Sequence, residues 1–228
     1  ILGALVEDTD AVGGEDPSAE DPGPGSLNNA QSRSSMTILN QGVAGMDFGF
    51  NFNTIVNTNE TGQGSLSQFI TNANNLDESG LDIVANALFD PGAGEDVSIF
   101  MIPPTGDALG RSADPEYSAG VFNIEQPNGD PLPEISADNT FIDGRTQTAY
   151  SGDTNSGSTG SGGTPVGVSG SLLPDFDLPE IQVHPNDGDV FRIAAANTTV
   201  RNLSIFANDE AAIRLNSGDA NVRENLLG

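Results

Sequence analysis

Carboxylates dominate the side chains in this sequence that could do chemistry. Asp8 and Asp10, Asp175 and Asp177, and Asp187 and Asp189 each stand two apart. In turns, such pairs together with backbone carbonyls suit calcium, a hard cation that takes oxygen ligands. None of the three pairs fits an EF-hand loop with its closing bidentate glutamate, and a solvated turn is the plain alternative. His184 is the single histidine. Without cysteine or a second histidine it makes no convincing zinc site, and its plain role is a polar residue before Pro185. Arg192 and Arg214, and Arg201 and Arg223, recur at one common offset. Stacked in adjacent strands they form either a basic strip for an acidic saccharide or a ladder neutralised by Glu210, Asp219 or Glu224, since like charges opposed across strands repel. Asn59, Asn197 and Asn202 open Asn-x-Ser/Thr triplets, the acceptor pattern for sugar on a secreted chain. Asn197 and Asn202 fall in a coil whose outer face is expected to be covered. No Gly-x-Ser-x-Gly elbow, phosphate loop or His-Glu-x-x-His helix is present. No carboxylate pair stands out as a glycosidase acid and nucleophile, so no catalytic residue is assigned.

The overall charge narrows the partners. The 228 residues hold 33 acidic and 7 basic side chains, a net charge of −26. Nucleic acid and anionic lipid surfaces would be repelled. Divalent cations or a salty medium would be welcomed. All basic residues are arginine, which removes lysine Schiff-base chemistry and lysine–asparagine cross-links. There is no cysteine and so no disulfide. No run of ~18 apolar residues is present to span a membrane as a helix. The sequence opens at Ile1 without a signal peptide, which reads as a processed chain or as a piece of a longer one.

Several elements can position these groups. Ser65 and Gln68 have the spacing of a capping box. Leu66, Phe69, Ile70 and Ala73 then make one apolar stripe, which predicts a short helix over 65–75. Phe48, Phe50 and Phe52 alternate ahead of it as a strand would. A capped amphipathic helix after such a strand suits a lid over an exposed hydrophobic end. IVANALF, VSIFMIPP, VFNI and TFIDG read as further strands. The glycine- and serine-rich stretch 151–172 reads as a long loop. From 190 a repeat emerges: VFRI recurs as AIRL and TVRNLSI as NVRENLL, both at the offset of the arginine pairs. A period of that length points to a solenoid whose coils rise by ~4.8 Å each. Phe191, Ile193, Val200, Leu203, Ile205, Ile213, Leu215, Val222 and Leu226 are then expected to face inward, with Asn197, Asn202, Asn208 and Asn216 near turns, where asparagine tolerates the left-handed region.

The run IVNTNETGQGSLSQFITNAN, followed by PLPEIS, FIDGRTQTAY, NTTVRNLSIF and NVRENLLG, resembles the right-handed parallel β-helix (pectin-lyase-like) region of large bacterial surface and extracellular proteins. Ser67 stands where that family usually has arginine. The resemblance implies an all-β fold: a right-handed parallel β-helix over 47–228 with ~22-residue coils. A capping helix at 65–75 and an extended N-terminal arm at 1–46 complete it. β-Helices host lyases, adhesins and plain scaffolds alike.

The expected function is therefore structural. The chain reads as an extracellular or cell-surface protein, a subunit of a filament, sheath or adhesin that associates with copies of itself. The alternatives are an enzyme acting on acidic surface polysaccharide and a passive stalk. The absence of tryptophan, with only 2 tyrosines, counts against sugar-binding platforms. The arm packs acidic residues with proline and glycine, a disordered composition. Its apolar start, with Ile1, Leu2, Leu5 and Val6, could pair as a donated strand with a coil end carrying Leu226 and Leu227. That coil end shows no cap, which points to association or to further coils.

Overall fold

The computed structural model describes residues 53–76, 80, 82, 89–107, 111–126, 131–159, 168, 175–185, 188–208 and 210–228. The arm 1–46, the phenylalanine run at 48–52 and most of IVANALF lie outside the described residues. The described chain is mostly short strands with two helices. The first half runs β1 (Thr54–Ile55), α1 (Leu66–Asn75), β2 (Asp96–Val97), β3 (Ile99–Phe100), β4 (Tyr117–Ser118), β5 (Val121–Gln126), β6 (Thr140–Asp143) and α2 (Arg145–Ser151). Then come β7 (Ser158–Thr159), β8 (Phe176–Asp177), β9 (Ile181–Pro185), β10 (Phe191–Ile193), β11 (Thr198–Arg201) and β12 (Ser204–Ile205). The last three are β13 (Ile213–Leu215), β14 (Ala220–Arg223) and β15 (Leu226–Leu227).

Pairing is parallel almost throughout. One sheet has the order β14-β11-β6-β2, a second β15-β12-β9-β5-β4, and β10 pairs with β13. Consecutive strands β10, β11 and β12 thus lie in three different arrays. The next three strands return to the same arrays in the same order. The register keeps the sequence offset: Phe191 meets Ile213, Val200 meets Val222 and Ile205 meets Leu227. Among the described residues only β4 with β5, and β7 with β8, run antiparallel.

Side-chain alternation explains why the core lies between these arrays. Phe191 and Ile193 are buried while Arg192 between them is half-exposed. Ile142, Val200, Leu203, Ile205, Val183 and Phe122 join them in one apolar cluster. Asn197 and Asn202 take left-handed φ values of 53° and 51° at the corners between strands, a conformation asparagine tolerates. The expected inward direction holds for Leu215 and Val222, since they continue the columns of Ile193 and Val200. They are nevertheless 52% and 40% exposed, because no described layer covers them. The register corrects the expectation for Leu226: it pairs with Ser204 and is half-buried, while Leu227 continues the column of Ile205.

Helix α1 matches its expected span. Ser65 is its N-cap and its Oγ accepts from the Gln68 backbone N–H at 3.1 Å. Only half of the capping box forms, because the Gln68 side chain turns forward and donates to Asn72 Oδ1. Leu66, Phe69, Ile70 and Ala73 are all buried against the core. Asn74 clamps the far end: its Nδ2 donates to the Glu134 carbonyl, and its Oδ1 accepts from the N–H groups of Ser136 and Ala137.

Helix α2 follows directly on the expected strand TFIDG, where the sequence reading, with its one helix at 65–75, places none. It carries no apolar stripe; its buried residues are Thr146 and Gln147. Both serve β3. The N–H groups of Ile99 and Met101 donate to β1 and its flank, at Asn53 and Ile55. Those of Phe100 and Ile102 point the other way and donate to Thr146 Oγ1 and Gln147 Oε1, each at 2.9 Å. Gln147 Nε2 also donates to the Ile102 carbonyl at 2.8 Å. Two side chains thus satisfy backbone groups that a neighbouring strand would otherwise pair. The helix also shortens the expected loop 151–172: Ser151 ends α2, and Ser158–Thr159 pairs with Phe176–Asp177.

Candidate functional site

The arginines that share the repeat offset stack as their spacing demands, Arg192 on Arg214 and Arg201 on Arg223. Arg201 and Arg214 are paired with carboxylates, Arg192 donates to the Leu132 carbonyl at 3.0 Å, and Arg223 is exposed. Arg214 pairs with Asp189 at 2.7 Å and with Glu210 at 2.9 Å. Arg201 Nε donates to Glu224 Oε2 at 2.6 Å. The hydrogen bond from Arg201 holds the Glu224 carboxyl below the usual range against its partial burial, and the charges of Arg201, Arg145 and Arg223 add to the effect. Asp219 instead caps the Asn197 backbone N–H at 2.9 Å.

Around this ladder lies a groove of about 370 Å³, bordered by Phe89, Arg145, Asp177, Arg201, Asn202 and Glu224. Arg145 enters from the start of α2 and forks onto the buried carboxylate of Asp143 through Nε and Nη2. Its guanidinium lies 4.2 Å above the ring of Phe89. Asn202 Nδ2 donates to the Asp177 carbonyl at 3.2 Å. Both arginines of the groove are therefore held by carboxylates that belong to the fold.

Of the expected metal ligands, Asp175, Asp177 and Asp189 are among the described residues. Asp175 and Asp177 are exposed and border this groove. Asp189 is buried and committed to Arg214 and to the Ala211 N–H, which leaves it poorly placed to gather a cation. Asp8, Asp10 and Asp187, with Ile1, Leu2, Leu5 and Val6, lie outside the described residues. No group of three or more His, Cys, Asp or Glu side chains is gathered to hold a metal ion among the described residues. His184 sits half-buried in β9 opposite Glu125.

Two buried polar centres were not legible in the sequence. Arg111 donates to Asp107 through Nε, to the Met101 carbonyl and to the Tyr150 hydroxyl at 2.7–2.9 Å. Burial works to raise the Asp107 carboxyl, but hydrogen bonds from Arg111 and Tyr150 outweigh it and hold it low. Burial pushes the Tyr150 hydroxyl up. The second centre is Glu180, 1% exposed, whose Oε2 accepts from Thr148 Oγ1 at 2.6 Å. Its Oε1 is buried without a partner. Burial raises the Glu180 carboxyl, and the charges of Asp153 and Asp177 raise it further, against the bond from Thr148.

This gives a pH prediction. A carboxyl raised in the folded state binds its proton more tightly than in the unfolded chain. Its contribution is then fully present below the ordinary glutamate range and is lost as pH rises through the folded value. Glu180→Gln keeps an acceptor for Thr148 and removes the charge. Thermal melts should show the variant more stable than wild type at neutral pH, with the gain vanishing in acid. An equal shift at both pH values would contradict this account.

No protein-family model, no curated protein and no solved structure matches this chain. Among the described residues no helix is long and apolar enough to cross a membrane.

Proposed function

We propose that the chain is a right-handed parallel β-helix and that its role is structural, as an extracellular subunit of a filament, sheath or adhesin that stacks on copies of itself. The observation that carries this reading is the state of the last three strands. Among the described residues β13, β14 and β15 each pair on one side only, in a register that keeps one sequence offset across three arrays. Their outer row leaves Leu215, Val222 and Leu227 at 52%, 40% and 57% exposure. Apolar side chains beside unpaired strand edges favour a further layer of strands. Further coils of the same chain or the first layer of a copy can supply it; a copy makes a head-to-tail contact, which propagates unless rotation closes a ring. The groove supports the same reading, since its Arg145 and Arg201 are tied to Asp143 and Glu224 rather than presented to a substrate. The high negative charge implies that contacts between copies strengthen with salt.

Sedimentation of the full chain over a concentration series, in low and high salt, tests this. Wild type should form polymers that grow with concentration, and Leu215→Asp with Val222→Asp should remain monomeric with an unchanged circular dichroism spectrum. A wild type that stays monomeric at high concentration in both salts overturns the assembly reading. Removing residues 1–46 then asks whether the arm supplies the covering strand: undiminished assembly would exclude it.

A further inference from the structure

The three Asn-x-Ser/Thr triplets have very different surroundings. Asn202 is 3% exposed, its Nδ2 donates to the Asp177 carbonyl, and Ser204 two residues on is buried. A sugar on that nitrogen has no room in the folded chain. Asn197 is exposed, but its Nδ2 donates to Asn139 Oδ1 at 3.1 Å in the corner stack, and Thr199 is buried. Asn59 differs on every count. Both Asn59 and Thr61 are exposed, and no hydrogen bond involves the Asn59 side chain among the described residues.

The loop around Asn59 is built to hold it out. Val56 and Asn57 donate from their backbones to the Gly64 carbonyl, closing the base. Asn57 Nδ2 donates to the Gln63 carbonyl at 2.9 Å, and Asn57 Oδ1 accepts from the Asn59 N–H at 3.1 Å. Thr58 is pinned from the side, its Oγ1 donating to buried Asp114 at 2.7 Å. The tip therefore projects from a fixed stem, outside any strand or helix. Asn59 also borders a groove of about 360 Å³ with Pro103, Ser112 and Pro115, which gives a first sugar ring space to lie.

We propose that Asn59 is an N-glycosylation site, the acceptor for an oligosaccharide from a polyprenyl-diphosphate donor, and that Asn202 is not modified. In the transfer, Asn59 Nδ2 attacks the anomeric carbon of the donor sugar. A C–N bond forms, the C–O bond to the diphosphate breaks, and the lipid diphosphate leaves with the electron pair. One amide proton passes to the transferring enzyme. Glu60 between acceptor and hydroxyl is compatible with the pattern, which excludes only proline there. The inference shares with the proposed function only an extracellular destination and does not require polymers.

The test is peptide mass mapping of the full chain made in its own source cells. Amidase release of glycans in heavy-oxygen water should leave a labelled aspartate at 59 and none at 202. Thr61→Ala, which leaves Asn59 in place, should abolish the label while the melting temperature stays the same. An unmodified Asn59, a label that survives Thr61→Ala, or a label at 202 overturns the proposal. Sedimentation of the same material reports separately on assembly.

Discussion

Val200→Asp should leave the chain without a folded state under ordinary conditions. Val200 is 0% exposed, with apolar Ile142 and Val222 as its register partners on either side. A carboxylate there faces an apolar cluster and is expected to cost several kcal/mol. That rivals the whole stability of a typical domain, about 5–15 kcal/mol. Urea unfolding followed by circular dichroism reads the loss. Val200→Ala, which only leaves a cavity, should cost about 2 kcal/mol. A Val200→Asp protein that melts like wild type would show that the inward column through Ile142, Val200 and Val222 is misassigned.

The second large effect is expected at Gly144, the residue between β6 and α2. Its φ of −62° suits any residue, so the requirement is space alone. A Cβ there would sit 2.0 Å from the Asn202 carbonyl oxygen and 3.0 Å from Leu203 Cδ2. The carbonyl is backbone and cannot swing aside. Relief needs the β6 and β11 layers to part, which stretches the 3.0 Å bond from Gly144 N–H to the Arg201 carbonyl. Gly144→Ala should therefore lose about 3 kcal/mol or more, at the top of the range for overpacking. Gly92→Ala is the control: its φ suits any residue and the added atom would meet nothing nearer than 3.9 Å, so a change of no more than about 0.5 kcal/mol is expected. Equal losses at the two positions would contradict the close approach of the layers.

What the sequence revealed follows the physics of periodicity. The apolar stripe of α1 and the repeat after 190 are patterns of one chain segment against itself, and both return in the structure as a helix and as parallel register. Helix α2 had no such signature. Its inward residues, Thr146 and Gln147, are polar, and they are satisfied in the interior by backbone groups of Phe100 and Ile102 in a distant segment. The centres at Arg111 and Glu180 were hidden for the same reason: Tyr150 and Thr148 reach them from far along the chain. For the aspartate pairs, spacing along the chain likewise does not reveal which partner a carboxylate meets. Asp187 and Asp189 look like ligands by spacing, yet the Asp189 carboxylate is taken up by Arg214 of β13.

The two side chains that α2 lends to β3 also set when this protein is most at risk of misassembly. In the finished fold a foreign strand meets no free donor at Phe100 or Ile102, and to add there it must first melt a seven-residue helix. The guard exists only once α2 has formed and docked. While the chain is being synthesised, the β3 segment with apolar Phe100 and Ile102 emerges before Arg145–Ser151 exists to cover its amides. Such a transient edge is where chains cross-pair. The open edge of β3 is thereby confined to the time before the seven-residue α2 has formed and docked.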